Sequence, residues 1–177
     1  MIVFMGVAGS GKSVQGRLLA KELGCTWLST GEFLRQHVTG KRREEMLEGK
    51  LLRDDEIIEM FARAFKEMDP QKPFILDGFP RTLPQAKWLI AKREEGEVRI
   101  DAIIHLIASK ELVKKRLLTR GRQDDTDRAI AERFKEYESL TLPSVAWFKE
   151  ENVPVYEIDG EREVQEVHDE IMKSLEK

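Results

Sequence analysis

A glycine-rich segment near the start of the chain constrains the fold more than any other feature. Gly6-Val7-Ala8-Gly9-Ser10-Gly11-Lys12-Ser13 matches the phosphate-loop pattern G-x-x-x-x-G-K-[ST] in full. A short apolar run precedes it and a helical pattern follows, and such loops bind phosphates in this strand, loop and helix context. The alternative is a glycine-rich turn in an ordinary strand-to-helix unit, which the complete match disfavours.

The phosphate loop predicts where a nucleoside triphosphate binds. Glycines let backbone N–H groups turn towards phosphate oxygens, and a helix N-terminus adds unpaired donors and the positive end of the helix dipole. We expect Lys12 to contact the β- and γ-phosphates and Ser13 to reach Mg²⁺. The other loop residues expected at this site are Gly9, Ser10, Gly11 and Val14.

Short apolar runs alternate with longer helical patterns along the chain. The predicted strands are Ile2–Val7, Thr26–Ser29, Pro73–Asp77, Ala102–Ile107 and Val153–Ile158. Apolar residues near the 3.6-residue period predict helices over Gly11–Leu23, Asp54–Met68, Lys110–Thr119, Asp127–Leu140 and Val164–Leu175. Apolar strands that alternate with helices predict an α/β fold, a parallel sheet with helices on both faces.

Composition narrows the class of protein. No apolar run approaches the roughly 18 residues that a membrane-spanning helix needs. The formal net charge of −3 disfavours a general nucleic-acid-binding protein. The single cysteine, Cys25, excludes an internal disulfide and a multi-thiolate zinc site. We therefore expect a cytoplasmic protein without zinc and without a nucleic-acid or membrane partner.

Three further segments carry a resemblance to a known family. They are Ser29-Thr30-Gly31-Glu32-Phe33-Leu34-Arg35, Glu48-Gly49-Lys50-Leu51-Leu52 and Leu76-Asp77-Gly78-Phe79-Pro80-Arg81-Thr82-Leu83-Pro84-Gln85-Ala86. With the phosphate loop they resemble the adenylate kinase family of nucleoside monophosphate kinases over nearly the whole chain. The resemblance implies a P-loop three-layer fold with a five-stranded parallel sheet in the order 2-3-1-4-5. It also implies one kinase domain over 1–177, with a monophosphate-binding arm at 29–52 and a lid at 119–126.

The resemblance also implies an acceptor site. Arg35 and Arg81 would hold the monophosphate, while Thr30 and Gln85 would contact its base. The rest of the implied site is Gly78, Phe79, Pro80 and the backbone of Lys50, Leu51 and Leu52. Independently of the family, Arg81 follows a predicted central strand, where open α/β sheets bind ligands. Asp77 ends that strand, and its carboxylate suits Mg²⁺ held through water.

Arginines in the second half of the chain form the last group of candidates. Arg116 and Arg120 are four residues apart, so they share one face of a predicted helix. The resemblance implies that Arg120 contacts ATP phosphates and that Arg116 and the backbone of Arg162 lie by its base. Arg122 and Arg133 would contact the transferred phosphoryl group and the monophosphate, positioned by Asp124 and Asp125. Phosphoryl transfer needs such a cluster because charge placement supplies most of its catalysis.

The chain departs from the family pattern in a few places. Ser13-Val14 stands where many members have Gly-Thr, and Glu32-Phe33 stands where Asp-Leu is usual. The arm between Arg35 and Gly49 is shorter than usual, which bears on the shape of the acceptor pocket. Arg120-Gly121-Arg122 leaves no room for a β-sheet or zinc lid, as in the short-lid members.

These observations and the resemblance predict an adenylate kinase, which converts Mg·ATP and AMP to two ADP, and the resemblance implies a monomer. Thr30 favours AMP as the acceptor, since the related UMP/CMP kinases tend to carry Ala at that position. A UMP/CMP kinase or a broad-specificity nucleoside monophosphate kinase is the alternative. A non-catalytic nucleotide sensor is a further alternative, which the presence of both Lys12 and Arg81 disfavours.

Overall fold

The computed structural model describes residues 1–67, 69 and 72–176 of the chain. Its centre is a five-stranded parallel sheet in the order β2-β3-β1-β4-β5. The strands are β1 (Ile2–Met5), β2 (Thr26–Ser29), β3 (Phe74–Asp77), β4 (Ala102–Ile107) and β5 (Val155–Asp159). The predicted fold class and strand order are therefore confirmed.

Helices connect the strands and surround the sheet. They are α1 (Lys12–Leu23), α2 (Thr30–His37), α3 (Gly40–Leu47), α4 (Asp54–Glu67), α5 (Leu83–Glu94), α6 (Lys110–Arg120), α7 (Asp127–Glu136), α8 (Leu142–Glu150) and α9 (Val164–Leu175). A single turn of π-helix, Tyr137–Thr141, joins α7 to α8, and we call it the π-turn.

Both faces of the sheet are buried against helices, as the near-continuous apolar strands require. On one face, Val3 and Leu76 pack in a core with Phe61 of α4, Leu89 of α5 and Phe148 of α8. The core of the other face brings α1 and α9 against the sheet and contains Phe4, Ile75, Ile104, Leu19, Val167 and Ile171. A smaller cluster under the short lid holds α6 and α7 together through Val113, Leu117, Ile130 and Phe134.

Several predicted boundaries were wrong by a few residues. β1 ends at Met5 because the chain leaves the strand at Gly6, whose φ of 137° suits glycine. β3 and β5 begin one residue after Pro73 and Pro154, because proline has no N–H to give to a sheet.

The predicted end of the helix over Asp127–Leu140 was also wrong. The structure ends α7 at Glu136 and continues through the π-turn into α8. Helices α2, α3, α5 and α8 were not among the predicted ranges. Met68, the last residue of the helix predicted over Asp54–Met68, lies outside the described residues.

Candidate active site

A cleft of about 370 Å³ lies at the edge of the sheet where the parallel strands end. β1 leads into it through the phosphate loop, and β3 leads into it through Asp77 and Gly78. The predicted site residues that line it are Gly9, Ser10, Gly11, Lys12, Ser13, Val14, Thr30, Arg35, Lys50, Leu51, Leu52, Asp77, Gly78, Arg81, Gln85, Arg116, Arg120, Arg122, Arg133 and Arg162.

The phosphate loop has the backbone form that its glycines permit. Gly9 and Gly11 adopt φ angles of 90° and 107°, in the region that side chains disfavour. A Cβ atom on Gly9 would approach the side chains of Val113 and Leu117 to 3.0 Å, so a larger residue would also be crowded. The loop then opens directly into α1, whose first turn leaves backbone N–H groups without helical partners.

Lys12 is held by the carbonyl oxygens of its own loop. Its Nζ donates hydrogen bonds to Gly6 O at 2.8 Å and to Val7 O at 2.7 Å. Burial, together with the charges of Arg81, Arg120 and Arg133, lowers the pKa of Lys12 to about 8 against the opposing charge of Asp77. An anionic phosphate group would relieve this shift, because it favours the charged amine.

Ser13 and Asp77 form the candidate magnesium site. Ser13 Oγ donates a hydrogen bond of 2.7 Å to Asp77 Oδ2, and Asp77 is buried. A serine hydroxyl and a carboxylate are hard oxygen donors, and Mg²⁺ commonly takes one or two protein oxygens together with water and phosphates. The donor set therefore fits Mg²⁺. Among the described residues, no group of three or more His, Cys, Asp or Glu side chains could hold zinc.

Arg81 lines the same cleft and lies in a turn whose hydrogen bonds fix its backbone. Its N–H donates to Gln85 Oε1 at 2.8 Å, its carbonyl oxygen accepts from Thr141 Oγ1 at 2.9 Å, and its Nε donates to Gly78 O at 2.8 Å. Burial lowers the pKa of Arg81, and the carboxylate of Asp77 opposes that change. A guanidinium group with little water around it binds a phosphate dianion strongly.

The side chains of Gln85 and Thr30 differ in whether their polar atoms have hydrogen-bond partners within the protein. Gln85 is buried, and its Nε2 donates to Asp54 Oδ1 at 2.8 Å, so Asp54 orients the amide. Thr30 Oγ1 is buried at the cleft and has no hydrogen-bond partner among the described residues. The cap of α2 is the neighbouring Ser29, whose side chain accepts a hydrogen bond from Glu32 N. The Thr30 hydroxyl is thus free to bind a ligand.

The lid arginines are held by two buried aspartates. Arg120 makes two hydrogen bonds to Asp125, at 2.8 Å from Nε and 2.6 Å from Nη2. Arg133 pairs with Asp124 and lies 3.2 Å from Asp125. Burial opposes ionisation of Asp125, but its hydrogen bonds to arginine prevail and lower its pKa. Both arginines are thus oriented before any substrate binds.

Arg35 of α2 and the exposed Arg122 of the lid loop are close enough to repel each other. Burial lowers the pKa of Arg35, and the charge of Arg122 lowers it further. This concentration of positive charge explains how a protein with a net charge of −3 can bind polyanions at one place.

Arg116 and Arg162 both line the cleft. Arg116 Nη1 donates to Gly160 O at 2.8 Å, which ties α6 to the loop after β5. The side chain of Arg162 pairs with Glu170 of α9 and lies 3.8 Å from Asp159. The two arginines and the backbone of Gly160 therefore form a wall suited to a planar base.

Comparison with known proteins agrees with this geometry. The family model described as adenylate kinase matches residues 4–153. A relative named adenylate kinase from Corynebacterium urealyticum is 31% identical over 182 residues, covering 99% of each chain. One from Agrobacterium fabrum is 33% identical over 192 residues, covering 99% of this chain and 97% of the relative. One from Archaeoglobus fulgidus is 29% identical over 213 residues, covering 99% of this chain and 98% of the relative.

The chain belongs to the adenylate kinase family. It is accordingly a phosphotransferase of the nucleoside monophosphate kinase class. Among the described residues, no helix is long and apolar enough to cross a bilayer.

Two residues that the family resemblance implied do not line the cleft. Phe79 is completely buried and stacks on Phe61 of α4 at a centroid distance of 4.1 Å. Pro80 is buried beside it. The ring of Phe79 belongs to the apolar core on that face of the sheet, together with residues of β3 and α5.

Sequence reasoning missed other residues of this adenylate kinase family site. Gln15 is buried and lines the cleft, and its Nε2 donates a hydrogen bond of 2.8 Å to Val164 O. Asp54 orients Gln85 through a hydrogen bond. The apolar side chains of Leu34, Met46 and Ile57 also line the cleft. Leu34 lies within the segment Ser29 to Arg35 that carries the family resemblance, and Asp54 is an acid at the start of a helix, a signal that indicates a helix terminus rather than a site.

Proposed function

We propose that the protein catalyses reversible transfer of the γ-phosphoryl group of Mg·ATP to AMP, giving two ADP, and that residues 1–177 act as one kinase domain with the arm at 29–52 and the lid at 119–126. One observation carries this proposal. The phosphate loop, Arg81 and the arginines Arg120, Arg122 and Arg133 all line one cleft. Such a cleft suits two phosphate chains placed end to end.

The donor nucleotide occupies the phosphate-loop side. The backbone N–H groups of Gly9 to Val14 surround the β-phosphate, and Lys12 exchanges its bonds to Gly6 O and Val7 O for the β- and γ-phosphate oxygens. Arg120 contacts the phosphates, while Arg116 and the backbone of Arg162 contact the base. These contacts hold the γ-phosphorus towards the acceptor side.

The acceptor occupies the side formed by α2, the arm and the Arg81 turn. Arg35 and Arg81 bind the phosphate of AMP, and Thr30 and Gln85 contact its adenine against the backbone of Lys50, Leu51 and Leu52. The monophosphate already carries an anionic oxygen, so no general base is needed. An α-phosphate oxygen of AMP bonds to the γ-phosphorus as the bond from that phosphorus to the β–γ bridging oxygen breaks.

Arg122 and Arg133 stabilise charge on the group in transfer. Preorganised donors of this kind provide most of the catalysis in phosphoryl transfer, because the transition state spreads negative charge over the equatorial oxygens. The aspartate contacts of Arg133 fix its orientation in advance. Ser13 and Asp77 would hold Mg²⁺, Asp77 through water, and the ion would supply positive charge that offsets the negative charge of the ATP phosphates.

Several features favour a free nucleotide as the substrate rather than a macromolecule. Nine lysines and arginines line the one cleft, and the net charge of the chain is −3. We take the enzyme to be a cytoplasmic monomer without zinc, nucleic-acid or membrane partners. The single cysteine, Cys25, is consistent with a reducing compartment.

The acceptor is tested by offering Mg·ATP with AMP, CMP, UMP, GMP and dTMP in turn and comparing kcat/KM. We expect AMP to be used best. Thr30→Ala should reduce the preference for AMP over CMP about tenfold, the effect of losing one hydrogen bond to the base. The same substitution at Thr26, which is exposed and does not line the cleft, is the control. A higher kcat/KM for CMP or UMP than for AMP would establish the pyrimidine alternative.

A turnover assay with Arg81→Ala tests whether the protein catalyses phosphoryl transfer or only binds nucleotides as a sensor. We expect the turnover rate to fall at least about a hundredfold while the fold is retained, since one preorganised charge contact at such a site contributes about 3–4 kcal/mol. Arg99→Ala removes an exposed arginine and is the control. Binding of ATP and AMP by the unaltered protein without any ADP formation would indicate a sensor instead.

A further inference from the structure

The end of α7 and the π-turn contact several parts of the site at once. Glu136 Oε1 accepts a hydrogen bond of 2.9 Å from the backbone N–H of Leu51, which belongs to the arm. Thr141, at the end of the π-turn, donates to Arg81 O at 2.9 Å. Arg133 lies on the same helix, about one turn before Glu136. One short segment therefore contacts the arm, the acceptor turn and a lid arginine.

The arm packs closely on α7 at a second point. A Cβ atom on Gly49 would lie 2.4 Å from Ala129 O, so only glycine permits this approach. The φ angle of Gly49 is 90°, which independently favours glycine. Next to it, Glu48 lies 3.9 Å from Arg128 of α7. The arm is thus seated on α7 along Glu48 to Leu51.

The environment of Glu136 is unusual for a carboxylate. Its Oε2 is buried and has no hydrogen-bond partner among the described residues. Burial raises the pKa of Glu136, while its bond from Leu51 and the charge of Arg81 act in the opposite direction. A carboxylate costs free energy in such a place, and the bond to the arm is the hydrogen bond that it makes there.

We propose that Glu136 is a positioning residue that latches the monophosphate-binding arm to α7, so that the acceptor binds between an arm and an Arg81 turn that are already fixed relative to Arg133. The acceptor's place in this statement rests on the proposed function above. The contact is made to a backbone N–H, so it is independent of the side chain at Leu51. The carboxylate of Glu136 is therefore the part of the latch that substitution can remove.

Amide hydrogen exchange tests the latch without any need for turnover. In Glu136→Ala, we expect the Leu51 amide to exchange at least about tenfold faster, since a hydrogen bond to a charged group is lost. In Glu136→Gln, the amide oxygen can still accept the bond, so the rate should stay within about threefold of that of the unaltered protein. Glu132→Ala is the matched control, because Glu132 lies one turn earlier on α7 and its ion-pair partner is Lys135, at 3.6 Å.

Steady-state kinetics on the same variants tests the consequence for the acceptor. Glu136→Ala should raise the KM for AMP about tenfold and leave the KM for ATP within about twofold, while Glu136→Gln should restore most of the loss. A general loosening of the fold would raise both KM values and would speed exchange of buried amides of β4 such as Ile103 as well.

Two results would overturn the latch. They are an unchanged Leu51 exchange rate in Glu136→Ala, and a rate that rises equally at Ile103. If Glu136→Ala does not fold, Glu136→Gln still decides, because a Leu51 amide that exchanges more than about tenfold faster there contradicts an acceptor role for the side-chain oxygen. If the unaltered protein forms no ADP from ATP and AMP, the proposed function fails, and the Leu51 exchange rates still decide the latch.

Discussion

Ser13 and Asp77 are joined by a hydrogen bond of 2.7 Å although 64 positions separate them in the chain. The bond connects the start of α1 to the end of β3, and it brings together the two side chains that suit Mg²⁺. The neighbouring strands β1 and β3 are parallel and in register at Phe4 and Asp77, so both chain segments reach the same edge of the sheet. The sheet topology therefore assembles this pair.

The Ser13–Asp77 pair gives a prediction about magnesium. Asp77→Asn keeps the shape and the hydrogen bond from Ser13 but removes the negative charge. We expect kcat to fall about a hundredfold and the Mg²⁺ concentration for half-maximal rate to rise, measured by titrating Mg²⁺ at fixed ATP and AMP. Asp169→Asn, on the exposed side of α9, is the control. An unchanged magnesium dependence in Asp77→Asn would remove Asp77 from the site.

The lowered pKa of Lys12 predicts proton uptake when ATP binds. The pKa is about 8 in the ligand-free protein, below the ordinary 10.5, so the amine is largely neutral at pH 9 and largely charged at pH 7. Bound phosphate favours the charged amine and raises its pKa. The uptake per bound Mg·ATP should therefore be small at pH 7 and approach about one proton at pH 9.

Calorimetric titration in buffers of different ionisation enthalpy measures this uptake. Lys12→Arg is the matched variant, because a guanidinium group stays charged throughout this range. We expect its binding of Mg·ATP to take up no additional proton between pH 7 and pH 9. The same rise in both proteins would mean that another group titrates.

The aspartates of the lid predict a loss of turnover without a loss of acceptor binding. Asp125 contacts both Arg120 and Arg133, and its side chain is fully buried. Asp125→Asn should lower kcat about tenfold or more, because two arginines lose an orienting charge, and should change the KM for AMP less than kcat. Asp127→Asn, which alters an exposed aspartate nearby that pairs with Lys114, should leave both values close to normal. Equal effects of the two substitutions would contradict this role.

The position of Phe79 predicts an effect on stability rather than on substrate contact. Its ring is completely buried against Phe61 and lies edge-on to Trp88. Phe79→Ala should lower the free energy of unfolding by about 3–5 kcal/mol, as other large-to-small core substitutions do. Urea denaturation measures this, with Phe33→Ala as the control because Phe33 is 37% exposed. A loss below about 1 kcal/mol would place the ring outside the core.

Much of the fold could be predicted from the sequence because it depends on local patterns. The strands near β1, β2 and β4 are short apolar runs, and α4 and α9 carry clear helical periodicity. The π-turn could not be predicted, because the apolar period continues through Tyr137. Its geometry is tied to tertiary contacts, namely Tyr137 Oη with His105 Nε2 at 2.7 Å and Thr141 with Arg81.

The sequence by itself determined the phosphate loop, the alternation of strands and helices, and the residue types that converge on a nucleotide. These depend on short motifs and on neighbours within a few positions. Only the tertiary structure decided which distant side chains act together: Ser13 with Asp77, Asp54 with Gln85, and Glu136 with the arm. The tertiary structure also showed that Phe79, which was expected at the site, is buried in the core. The physical reason is that such pairs form when packed elements meet, and no local pattern records which elements will meet.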